Sequence, residues 1–280
     1  VILIATVMTF ATKSFVSSKG SKAFLQTAKS QEYIASIYIE GMILDDKKRD
    51  ESLRNIAEDA NIKGLIVYVN SPGGTVGGSE ELYNMIRKIS QKKPTTVIMQ
   101  SVAASGGYLV SLAADYIIAH NSTLTGSLGV LFQSAEVTTL AEKLGVTFNN
   151  FKSSPLKAAP NPLEKVTPEV EEAIMSTIND SYNYFVDIIS TRRKLPREYI
   201  MQIADGRVYT GRQAFELKLV DKIGSTDDAI KWLQEEKKLP NSLKVVEYQL
   251  KPQSILETII GADLEQKLYG LLGSGGRLFF

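Results

Sequence analysis

The 280-residue chain contains no cysteine and only one histidine, His120. These two absences exclude much chemistry. No thiol nucleophile, no disulfide and no zinc site of the usual cysteine–histidine set can be built from it. A Ser-His-Asp mechanism would have to run through His120. Net charge is scarce as well: 32 Lys and Arg against 31 Asp and Glu leave +1. That provides no electrostatic footprint for nucleic acid, and no nucleic-acid partner is expected. The body of the chain also lacks a long apolar run. The opening residues, VILIATVMTFA, are almost wholly apolar, whereas a spanning helix needs roughly 20 such residues. We read residues 1–11 as part of a transmembrane anchor to the lipid bilayer. The basic, serine-rich residues 12–31 then form a stalk.

What remains is ordinary globular sequence, 44% hydrophobic and 22% charged, enough for a full core and too apolar for disorder. β-Branched and aromatic runs predict strands at 33–43, 63–74, 95–101, 115–120, 146–151 and 243–250. Apolar residues at helical spacing predict helices at 50–60, 78–89 and 226–237. Strand followed by helix, with short turns, implies parallel strands and crossover helices, an α/β fold. Residues 166–193 form one long amphipathic helix, striped by Val166, Val170, Ile174, Ile178, Tyr182, Phe185 and Ile189. Thr167 and Pro168 cap it. A stripe of this length suits either the core or a subunit contact. Residues 32–250 read as one domain, and 251–280 as a C-terminal helix ending in a flexible, apolar RLFF tail.

Two glycine-rich turns carry the chemistry. Asn70-Ser71-Pro72-Gly73-Gly74 ends one strand, and Ala103-Ala104-Ser105-Gly106-Gly107 joins the next strand to a helix. Parallel pairing sets the two turns side by side at the carboxyl edge of the sheet. Backbone N–H groups exposed in such turns, and at a helix N-terminus, suit an anion or a developing oxyanion. A serine between them has the position of an acyl-transfer nucleophile. Ser105 fits this role better than Ser101, which sits in the strand end without a following glycine. For the base there are two readings. His120 ends a strand on the far side of the next helix and reads as a surface or satisfied histidine. Lys157 lies among small and apolar residues in KSSPLKAAPNP. It is either a lysine that desolvation makes able to accept a proton or a solvated loop lysine.

The motifs VNSPGG, VAASGGYLVSLAAD, TLTGSLGV, KSSPLKAAPNP and IADGRVYTGRQAFELKLVD together resemble the bacterial signal peptide peptidase A family, in its short, Gram-positive-type form. The likeness runs from about residue 34 to about residue 250. It implies a Clp protease/crotonase-like fold of repeated β-β-α units and a Ser/Lys-dyad serine protease that needs no cofactor and no metal. It further implies Ser105 as nucleophile, Lys157 as general base and Ser127 as the hydroxyl that orients the lysine. The N–H groups of Gly74 and Gly106 become the oxyanion hole. Family members form octamers on a membrane surface, where assembly completes the dyad, and they degrade remnant signal peptides. A single-pass cell-membrane protein with an extracytoplasmic catalytic domain is the expectation that follows.

Ser154, Pro155 and Leu156 depart from the small residue and Tyr or His that family members often carry before this lysine. Two other functions share the fold. A crotonase-type acyl-CoA enzyme would need acid/base carboxylates by the turns, and none adjoins them in sequence. A non-catalytic membrane scaffold would not need Ser105 and Lys157.

Overall fold

The structure, a computed structural model, describes residues 31–250 and the short strand Leu278–Phe279. The chain divides into two units, Val1–Glu32 and Tyr33–Phe280, and every element below belongs to the second. The strands are β1 (Tyr33–Ile43), β2 (Ile62–Gly74), β3 (Thr95–Ala104), β4 (Tyr116–Ala119), β5 (Leu124–Gly126), β6 (Leu131–Phe132), β7 (Val208–Thr210), β8 (Lys222–Ile223), β9 (Lys244–Glu247) and β10 (Leu278–Phe279). The helices are α1 (Lys47–Glu58), α2 (Val76–Ser90), α3 (Gly106–Ser111), α4 (Thr138–Lys143), α5 (Pro168–Arg193), α6 (Arg197–Ile203), α7 (Gly211–Glu216) and α8 (Thr226–Glu235).

The main sheet runs β7-β5-β3-β2-β1-β9. Its strands pair in parallel except β5 with β7. β3 is long enough to serve two neighbours on one side. Its first half pairs with β4, from Thr96–Tyr116 to Met99–Ala119, and its last three residues pair with β5. Thr123 makes the changeover, donating its hydroxyl to the carbonyls of Met99 (3.1 Å) and Gln100 (2.7 Å). β4 continues the sheet outward by pairing with β8.

Alternation along the strands sends side chains to two separate cores. Ile34, Ile66, Ile98 and Ile118 line one face and pack on Ala229 and Leu233 of α8. The other face is the larger core, built with Leu53 of α1, Leu82 and Ile86 of α2, Leu109 of α3, and Phe185 and Ile189 of α5. The expected α5 is present, with Thr167 accepting from the Val170 N–H (3.4 Å) and Pro168 in its first turn. Its apolar stripe serves the core mainly near the C-terminal end. Val170, Phe185, Val186 and Ile189 are buried, whereas Ile174 and Ile178 are half-buried and Val166 is exposed.

Two consecutive arginines at the end of α5 tie it to the sheet. Arg192 donates to the carbonyls of Leu112 (2.7 Å) and Ala114 (2.8 Å), just beyond α3. This places a cation at the negative end of that helix. Arg193 grips Asp221 through both terminal nitrogens, 3.1 and 2.7 Å. Asp221 also accepts the Ile117 N–H at 2.8 Å. Tyr108, wholly buried on α3, donates to the Leu219 carbonyl at 2.9 Å, and burial pushes its phenol well above the usual range.

Three expectations are corrected. Residues 146–151 are not a strand: they lie exposed and irregular, without a neighbouring strand to pair with. β5, in contrast, is a strand at Leu124–Gly126, in a Ser/Thr/Gly segment where none is expected above. The membrane placement is also withdrawn. Among the described residues no helix is long and apolar enough to cross a membrane. The expected single-pass anchor rested on residues 1–11, and the stalk on 12–31. Apart from Gln31, both lie outside the described residues. The expected helix in 251–271 also lies outside them.

Asp221→Ala should destabilise the fold by about 1–3 kcal/mol, because it strands a half-buried guanidinium and a backbone donor together. Urea denaturation measures this; a loss below about 1 kcal/mol would show that the Arg193–Asp221 tie is not holding the two layers.

Candidate active site

The strand pairing brings the two glycine turns together. β2 and β3 slip register between Val69 and Ser71, where the Asn70 carboxamide oxygen accepts the Val102 N–H at 3.3 Å. Past this bulge Ser71 pairs with Ala103. The Ser71 hydroxyl then takes the Gly73 N–H (3.1 Å), rounding the chain toward Gly74. A β-carbon on Gly74 would lie 1.8 Å from the Ile43 carbonyl oxygen. One on Gly106 would lie 2.2 Å from Ser79 Oγ and 3.2 Å from the Gly74 nitrogen. The Gly74 nitrogen and Gly106 are thus neighbours, with the Ser79 side chain beside Gly106.

Ser105 forms the elbow between β3 and α3. It is 4% exposed, with φ 56° and ψ −119°. Two backbone hydrogen bonds hold it there: its N–H to the Gly126 carbonyl (2.8 Å), and the Leu109 N–H to its own carbonyl (3.0 Å). Its side chain makes no capping hydrogen bond to α3. Because Ala104 pairs with Gly126, Ser127 follows alongside Ser105. Ser127 is half-buried, with φ 50° and its N–H on the Arg207 carbonyl (2.8 Å).

Backbone strain marks the same places. Six non-glycine residues have positive φ among the described ones. Three are lysines just past helix ends, Lys194, Lys218 and Lys238, where left-handed caps are common. The other three are Ser105, Ser127 and Ala158, the residue after Lys157. Positive φ costs about 1–3 kcal/mol for such residues and persists where the surroundings enforce it.

The lysine is less simple. Lys157 sits in a turn, its N–H on the Ser154 carbonyl at 3.1 Å, and its side chain is exposed. It has no hydrogen-bond or ion-pair partner among the described residues. Lys152 in the same segment is engaged, with Glu164 and the Pro155 carbonyl. Among the described residues Lys157 therefore has the setting of a solvated loop lysine, and the desolvated setting is not supplied by them. Burial lowers the proton affinity of a different lysine, Lys93, which donates to the Ile56 and Asp59 carbonyls at the amino end of β3, the opposite edge from Ser105. His120 is exposed at the end of β4, beside the first half of β3 and not the elbow. Ser101 is exposed within β3. Among the described residues no three His, Cys, Asp or Glu side chains are grouped as metal ligands.

The segment around Lys157 is the least covered part of the described chain. Leu131, Leu140, Leu144, Val146, Phe148, Phe151 and Leu156 are all exposed, Leu144 to 72% and Phe151 to 97%. Beside them, β6 pairs antiparallel with the terminal strand β10.

A family model for peptidase family S49 matches residues 87–240. A protein of Methanocaldococcus jannaschii named as a protease is 33% identical over 93% of this chain and 81% of its own length. The chain belongs to peptidase family S49. It is a serine protease of that family. A second relative, from Enterococcus faecium and named signal peptide peptidase SppA, is 34% identical over 80% of this chain and 69% of its own. A solved membrane-bound stomatin-specific protease covers 80% of this chain and all of its own, with a TM-score of 0.51 at 15% identity. That likeness shows the fold, in agreement with the Clp protease/crotonase-like class expected of the S49 chain.

Sequence reasoning passed over one residue beside the glycine turns, Ser79, which lies against Gly106. Its only signal is the run Gly77-Gly78-Ser79, three weak helix formers in the first turn of α2.

Gly74→Ala should lower stability by about 1–3 kcal/mol, since the added methyl meets backbone that cannot rotate away. Thermal unfolding of the variant checks this, and an unchanged melting temperature would mean that β1 and the Gly74 turn have room to part.

Proposed function

We propose that this chain is an endopeptidase of remnant signal peptides that uses Ser105 as nucleophile and Lys157 as general base. The observation that carries the reading is the convergence at the elbow. A strained, buried serine stands at the N-terminus of α3, with Gly106 against the nitrogen of Gly74. In the reaction Ser105 Oγ attacks the scissile carbonyl while its proton passes to the neutral Lys157 amine. The carbonyl oxygen gains the negative charge and is held by the N–H groups of Gly74 and Gly106. The C–N bond then breaks, and Lys157 returns the proton to the leaving amine. Water, deprotonated by the same amine, releases the acyl group from Ser105. Ser127, next to Ser105 in register, is the hydroxyl that orients the lysine.

Lys157 must lose its exposure for this to work. A homo-oligomer supplies that change: a second copy covering the apolar surface from Leu131 to Leu156 would take the lysine out of water. The same region supports an extended, apolar substrate. The β6 edge already accepts the strand Leu278–Phe279, and a peptide bound there would gain its affinity from backbone pairing. The printed name of the Enterococcus faecium relative agrees with a signal-peptide substrate.

Ser105→Ala and Lys157→Ala should each reduce cleavage of an unfolded apolar peptide by more than about a thousandfold, the scale on which loss of a nucleophile or its base is felt. His120→Ala should retain parent activity. Loss of activity in folded His120→Ala, or retention within tenfold in Ser105→Ala, would overturn the assignment.

If the dyad is completed between copies, mixing inactive Ser105→Ala and Lys157→Ala chains under exchange should restore part of the activity. A mixture as inactive as its components, with exchange verified by mass, would place both groups of each working site in one chain.

A further inference from the structure

Ser79 lies in the first turn of α2, fully buried. Its hydroxyl is the one buried side-chain polar atom without a hydrogen-bond partner among the described residues. A buried, unpaired hydroxyl costs the folded state stability that alanine would not forfeit. Helical hydroxyls ordinarily escape this cost by bonding the carbonyl one turn back. Elsewhere in the chain they do so: Ser52 Oγ donates to the Lys48 carbonyl (2.9 Å), Ser111 Oγ to Gly107 (2.8 Å) and Thr177 Oγ1 to Ala173 (3.2 Å). Ser79 has the same option, since its N–H already reaches the Thr75 carbonyl at 3.0 Å. Its hydroxyl turns instead to Gly106, where a β-carbon would lie 2.2 Å from Oγ and 3.2 Å from the Gly74 nitrogen.

One polar atom is thus left unpaired against Gly106, near the Gly74 nitrogen. We propose that Ser79 is a third member of the oxyanion site, its hydroxyl donating to the substrate oxygen as that oxygen becomes negative. The inference rests on the acyl-transfer reading above. The resting site leaves this hydroxyl unsatisfied and the tetrahedral intermediate satisfies it, so the interaction strengthens toward the transition state and acts on kcat. No bond to Ser79 forms or breaks. Its proton is shared with the oxyanion and returns to Oγ when the carbonyl re-forms.

The test uses full-length Ser79→Ala and Ser79→Gly with an unfolded apolar peptide. Loss of one oxyanion donor reduces kcat by about 10²–10³ where the donor is primary. For a third donor we expect a fall in kcat of at least about tenfold with KM within about twofold. The affinity of a peptide aldehyde, whose hemiacetal places an oxyanion in the site, should weaken by the same factor. The melting temperature of Ser79→Ala should be unchanged or higher, which a packing role would not produce. Ser79→Gly removes the hydroxyl without filling space and guards against a repacking artefact. If either folded variant keeps kcat within about threefold of the parent while the parent is labelled at Ser105 by a fluorophosphonate, Ser79 is not a donor and the Ser105 reading stands. A parent that is not labelled at Ser105 overturns both.

Discussion

At Gly74 and Gly106 two turns come together with no room for a side chain on either, because Gly74 lies against the Ile43 carbonyl of β1 and Gly106 against Ser79 of α2 and the Gly74 nitrogen. The rest of the site depends on this approach. It requires the bulge at Asn70, which advances the first turn beside the second. It also requires β3 to keep running after β4 has ended, so that β5 can take over and hold Ser105 by the Gly126 carbonyl. The six-residue helix after the elbow is too short to persist by itself. It is fixed by burial, by the Tyr108 hydroxyl and by the guanidinium of Arg192 beyond its last turn. The strained serine is therefore held from both ends, by a strand neighbour on one side and by α5 on the other.

Much of this could be read in the residues. Alternation of β-branched side chains located the long strands, since both cores use that alternation. The glycine turns and Ser105 were visible because Gly and Ser are poor choices at a buried strand end unless the backbone requires them. The elements that were misread show where local pattern stops being informative. VTFNNF has strand-forming residues, yet a strand exists only by pairing, and no neighbour is offered at 146–151. The three residues of β5 sit in a Ser/Thr/Gly segment, and only β3 and β7 on either side make them a strand. For Lys157, apolar neighbours in sequence left a desolvated and a solvated lysine equally open, because neighbours in sequence need not be neighbours in space. In the folded chain those same residues face outward with it. Ser79 carried almost no sequence signal, because what singles it out is an unmade hydrogen bond.

The distribution of exposure divides the molecule by task. The sheet, its two cores and the elbow are complete within one chain. Among the described residues the segment 131–166 is less covered: it carries Lys157 and a run of large apolar side chains that stand exposed. The same asymmetry separates the two catalytic candidates. Ser105 is preorganised by buried backbone hydrogen bonds, whereas Lys157 has a defined turn but an unfinished environment. On the reading proposed above, the nucleophile is set before its base, and contact with a second copy would complete the surroundings of the base.

The long helix α5 extends this division into thermodynamics. Its 26 residues span roughly 39 Å at 1.5 Å per residue, yet most of its deep burial lies near the end that carries Arg192 and Arg193. A half-covered helix gains little from its own sequence in water, because helical stability in proteins comes mainly from packing. A second copy resting on its outer turns would contribute folding free energy as well as contact. Unfolding and dissociation would then be one equilibrium, and the apparent stability of this protein would rise with its own concentration.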